Sequence, residues 1–105
     1  MSTLPFPYLH KTVTITFGAT EFAMAFHSQT AATMTMVRGV HAGVSEELTI
    51  AITPLRTGQF VISWQRTNKT TAVHVHDYQQ KTVHSFVTTP EDTFLHLVGT
   101  LAVKE

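Results

Sequence analysis

Cysteine is absent from this 105-residue chain. That one absence removes a disulfide scaffold, a thiolate nucleophile and a cysteine-ligated zinc site together. Charge is scarce too: Asp, Glu, Lys and Arg make up 13% of the residues and sum to zero, so no net field draws the chain to nucleic acid or to an acidic membrane surface. No apolar run approaches the roughly 18 consecutive residues of a membrane-spanning helix. The opening MSTLPFPYLHK lacks the charged-then-apolar order of a secretory leader, and a cytoplasmic protein is expected. No ten-residue window carries a helical apolar stripe, and there is no internal repeat. Nucleophile elbow, Walker loop and dinucleotide fingerprint are all missing.

What remains is alternation. The length suits one domain, with an N-terminal arm over residues 1–10 whose Pro5 and Pro7 cannot donate to a sheet. Thr12 to Phe17 sets Val13, Ile15 and Phe17 against three threonines. Phe22, Met24 and Phe26 form a second apolar face, and Ala32, Met34 and Met36 a third. Residues 38–45 form the longest connection, marked by Gly39 and Gly43. Leu48, Ile50 and Ile52 follow, and Pro54 is expected to close that strand. Gln59 to Val87 then reads as three strands joined by two tight turns, TNKT and YQQK. Thr93 to Val103 completes the set, with Gly99 at its middle as an expected bulge or bend.

Eight short strands joined by hairpin-length links predict an all-β chain: a single eight-stranded up-and-down antiparallel barrel. Closure removes the exposed edges of a flat meander. A barrel of this size is either filled by its own side chains or holds one small ligand.

The C-terminal half carries a resemblance. A strand ending in Ser63-Trp64, a following strand with Val73, His74 and His76 before Asp77 and Tyr78, and a closing pattern of Phe94, Leu97, Gly99, Thr100 and Leu101 resemble the MoaF-like family of small calycin (lipocalin-like) barrels. In strand order the resemblance extends over about residues 10–103. It implies an eight-stranded barrel open at one end, and it implies no particular activity.

Turn geometry sets the expected site. A two-residue loop at Asn68-Lys69 places Trp64 across from Val73, and a second at Gln79-Gln80 places Val75 across from His84. Trp64, Phe86, His84 and Asp77 then face inward, while His74 and His76 face outward. The leading expectation is a lumen that binds a small apolar or aromatic molecule. Its walls are Trp64, Phe60, Met34 and Met36, and His84 and Arg38 supply polar selection. The alternative is a lyase, isomerase or cyclase in the same lumen, with His84 as acid/base and Asp77 beside it. A third reading is a packed barrel that forms a homodimer through outward Phe94, His96 and Val98. His74-x-His76 has a usable chelate spacing, but no bound metal or cofactor is expected. A triad of Ser63, His74 and Asp77 fails because Asp77 faces away from the other two.

Overall fold

The computed structural model describes residues 6–39 and 41–104. Its strands are β1 (Thr12–Phe17), β2 (Thr20–Phe26), β3 (Ala31–Arg38), β4 (Ser45–Arg56), β5 (Gln59–Gln65), β6 (Thr71–Asp77), β7 (Thr82–Thr88) and β8 (Phe94–Lys104). Each pairs antiparallel with the next, and β8 returns to β1 to close the barrel. Among the described residues there is no helix long and apolar enough to cross a membrane. The alternating strands bury one face each. Val13, Ile15, Met24, Phe26, Ala32, Phe60, Ile62 and Val83 are nearly or wholly buried, and fully burying a large apolar side chain stabilises by about 1.5–3 kcal/mol.

The two ends of the barrel differ. At one end the hairpins at 27–30, 57–58 and 78–81 meet the N-terminal arm. The arm does more than lie over the fold: Phe6 and Tyr8 are buried. Phe6 packs edge-on against Phe26 and Phe60, with centroids 4.9 and 5.2 Å apart, and Tyr8 meets Tyr78 at 5.4 Å. His10 N donates to Phe26 O and Phe26 N to Lys11 O, which ties the arm to β2. The other end carries Gly18-Ala19 and the connections at 41–44, 66–70 and 89–93. Among the described residues, no aromatic plug fills it.

Strand β4 corrects one expectation. It does not stop at Pro54 but runs to Arg56, with a register shift between Pro54 and Arg56. Its residues 45–49 pair with β3, and from Ile50 onward it pairs with β5. Pro54 thus sits where β4 has already left β3, and its missing N–H breaks no ladder. Gly99 corrects half of a second expectation, that of a bulge. It pairs regularly with Val83, without a bulge. A Cβ there would collide with the Thr16 carbonyl oxygen and the Phe17 ring, so this glycine permits close approach of β1 to β8.

The hairpin between β5 and β6 decides which side chains enter the lumen. Its loop has three residues, not two. Arg66 N donates to Thr70 O at 2.7 Å, Lys69 N donates to Arg66 O at 2.9 Å, and Lys69 takes the left-handed conformation with φ 78°. Asn68 Oδ1 accepts from Thr70 N at 3.0 Å. Trp64 therefore pairs with Ala72, Ile62 with His74 and Phe60 with His76. One extra loop residue moves all of β6 to the opposite face. The next hairpin keeps the expected register, Val75 with His84 and Asp77 with Thr82, so it carries the inversion on into β7.

Candidate functional site

The inner wall of β6 is Ala72, His74 and His76, and that of β7 is Val83 and Ser85; all five are buried. Toward the open end lies a cavity of about 180 Å³. Its walls include Phe22, Met34, Met36, Trp64, Ala72 and Val87, with Phe17, Thr20, Thr70 and Leu97 toward the rim. An apolar cavity of about 150 Å³ accommodates a benzene ring, so this chamber is on the scale of one small ring. Directly opposite Trp64 stands Ala72. The small residue beside the large one leaves the space.

Polar groups enter the chamber sparingly. His74 and Ser85 form a cross-strand pair on the lumen wall. The His74 ring lies edge-on to Trp64, with centroids 4.6 Å apart, and is flanked by Phe17 and Phe22 at 6.0 and 5.9 Å. His74 Nδ1 and His76 Nε2 share a hydrogen bond at 3.4 Å. Burial lowers both imidazoles, His74 well below the ordinary range and His76 to about 3, with repulsion from His76 adding to the effect on His74. The pair is neutral near pH 7. Trp64 Nε1 and His76 Nδ1 are buried without a hydrogen-bond partner among the described residues. At the rim, Arg66 Nε donates to Glu46 Oε1 at 2.8 Å, and Glu46 Oε2 accepts from Thr67 N and Thr67 Oγ1, each at 2.9 Å. This clasp joins β4 to the β5–β6 hairpin and balances the charge of Arg66.

Several expected site residues lie elsewhere. His84 is on the outer wall, hydrogen-bonded at 3.5 Å to His96, which removes it from lumen chemistry. Asp77 also faces outward. It accepts from Gln80 N and Gln79 N and from the Gln59 side chain, bonds led by that of Gln80 that hold its carboxyl below the usual range. It is a turn cap. Phe86 is outside as well, stacked on His96 with centroids 4.6 Å apart. Arg38 is 56% exposed in its side chain and pairs with Glu21 at 3.4 Å, because a register shift between Glu21 and Phe22 turns it out of line with Met36. Phe60 is buried in the plugged half. Of the expected walls, Trp64, Met34 and Met36 line the cavity.

His74 and His76, expected outside, occupy the lumen. Ser63 now faces away from His74, so the Ser63–His74–Asp77 combination fails with different partners separated. Among the described residues no three histidine, aspartate or glutamate side chains converge as metal ligands. Phe22 lies on an inner face the alternation already marked as apolar, whereas Ser85 was not expected as a site residue. The buried alternation of each strand was the available signal, once the face of β7 was known.

Fold and site together define a small antiparallel barrel, plugged at one end and hollow at the other. The chain belongs to the MoaF-like family, whose model matches residues 10–102. Among solved structures it is similar to a Burkholderia vietnamiensis protein described as a candidate beta-lactamase. The TM-score is 0.89 and the identity 23%, over 97% of this chain and 100% of that one, a likeness of fold. No curated protein matches.

Proposed function

We propose that the barrel binds one small, largely apolar, ring-bearing molecule in its open half. The observation that carries this reading is the 180 Å³ chamber beside Trp64, set against the interlocked rings of Phe6, Phe26 and Phe60 in the other half. Ring faces and methionine sulfur suit an aromatic guest. A neutral imidazole and the Ser85 hydroxyl offer it one or two hydrogen bonds. The balanced Arg66–Glu46 rim favours no charged ligand over a neutral one.

Binding without turnover is the reading the geometry favours. An acid/base function would need a titratable group poised near neutrality. His74 is driven far from that point, and its ring hydrogen-bonds only to another neutral histidine among the described residues. A hydrolase of the kind named for the Burkholderia protein would need an activated nucleophile. Ser85 stands across from His74, yet no hydrogen bond joins them among the described residues.

The test uses Trp64, the sole tryptophan, as reporter. Titration with monocyclic aromatics such as phenol, toluene and benzoate is expected to change its emission saturably for the neutral rings. Ala72→Phe, which fills the chamber, abolishes that change. A flat response to every probe, or an undiminished response in Ala72→Phe, refutes lumen binding.

A further inference from the structure

The outer wall holds a second histidine pair that the lumen does not use. His84 on β7 and His96 on β8 are diagonal neighbours, because His84 pairs with Val98 and Phe86 with His96. Both are exposed to solvent. His84 Nδ1 and His96 Nε2 point at each other 3.5 Å apart. The rings are nearly parallel, with centroids 5.7 Å apart and planes at 24°. Phe86 stacks on His96 with an interplanar angle of 8° and fixes that ring against rotation.

We propose that His84 and His96 form a two-imidazole chelate for a zinc-class divalent cation on the outer wall of the barrel. Two nitrogens bound to a tetrahedral zinc at about 2.0–2.1 Å stand roughly 3.4 Å apart, close to the separation already present. Without metal, one nitrogen of the facing pair holds a proton and donates it to the other. A cation takes the place of that proton when it moves to the ring's far nitrogen, so that His84 carries hydrogen on Nε2 and His96 on Nδ1. No third histidine or carboxylate converges there among the described residues. Water completes the coordination, and the cation remains open to exchange. Imidazole ligation selects zinc, cobalt, nickel or copper over magnesium and calcium.

Calorimetric titration of the full chain with Zn²⁺, and absorption spectroscopy with Co²⁺, test the site. One saturable Zn²⁺ site per chain is expected, with visible Co²⁺ bands of tetrahedral character and no response to Mg²⁺. Loss of an outer-shell partner weakens metal sites about 10- to 100-fold, so loss of a ligand in His84→Gln or His96→Gln should weaken zinc at least tenfold. His27→Gln and His41→Gln leave the affinity unchanged. Both ring positions are exposed, and thermal unfolding of the variants without metal checks that they fold. The proposal is overturned if no saturable zinc site exists, or if the double variant His84→Gln/His96→Gln binds as the unmodified chain does. It is equally overturned if His74→Gln, but not His84→Gln, removes the site, since that assigns the ion to the lumen.

Discussion

The two halves of the barrel are built from the same strands and the same alternation, yet they use apolar volume differently. In the plugged half, Phe6, Tyr8, Phe26 and Phe60 interlock edge to face around the arm, and aromatic pairs of this geometry contribute beyond their buried area. In the open half, Trp64 faces Ala72, and Met34 and Met36 stand where a second layer of rings would be needed to fill the space. His74 and His76 sit at the boundary. What separates a stabilising core from a binding chamber here is the size of a few inward residues and the presence of a plug, not a change of architecture.

Three experiments can break or sharpen that contrast. The largest effect is expected in the packed half. Phe60→Ala should cost about 3–5 kcal/mol of stability, read as a lowered urea midpoint, and should leave the open chamber's lining chemically unchanged. A loss below about 1 kcal/mol would mean that the plug is not close-packed.

The boundary pair predicts a pH dependence. His74 and His76 have folded-state pKa values below the ordinary imidazole value of 6.5, so below about pH 6.5 the unfolded chain binds more protons than the folded one. Stability should be level above that point and fall as pH drops below it, with the contribution of His76 lost progressively toward about pH 3. By pH 5 the share of His76 alone is roughly 2 kcal/mol, and His74 adds to it in the same direction. Urea midpoints between pH 7 and 5 should fall in the unmodified chain and stay level in His74→Leu/His76→Leu. Equal slopes in both proteins would contradict the burial of the pair. Asp77 and Glu46, whose carboxyls are held low, act in the same direction, but only below the ordinary carboxylate range.

The finest comparison places one substitution in both halves. Ala32, wholly buried beside Phe26 and Leu48 in register, has no room for a ring, and Ala32→Phe should cost about 1–3 kcal/mol by overpacking. Ala72→Phe enters the chamber and should cost less than about 1 kcal/mol. Denaturation of the two variants side by side checks the difference. Equal losses would show that the chamber is not available space.

The strands were legible because alternation reports them directly. Val13, Ile15 and Phe17, or Phe60, Ile62 and Trp64, leave little choice about which set is buried. The site was legible only in part. Met34, Met36 and Trp64 lie on strands whose inner face is unambiguous, and the structure lines the chamber with them. Thr71 to Asp77 has no such bias, since Val73 and Val75 compete with His74 and His76 for the inside. Apolarity favours the valines, but the valines are on the outer wall. Nothing in Thr67-Asn68-Lys69 announces a left-handed third residue, where a glycine would have done so. Arg38 was misplaced for a similar reason, a register shift beside Glu21 that has no signature in the residues themselves.

The amino-acid order by itself determined the number of strands, their antiparallel succession, the closure they require and the burial of Trp64. Only the tertiary structure decided which histidines share the lumen with that indole and which meet on the outside. A period of two fixes the two faces of each strand relative to one another. It says nothing of which face points inward once a hairpin can add a single residue, and at Lys69 the backbone added one.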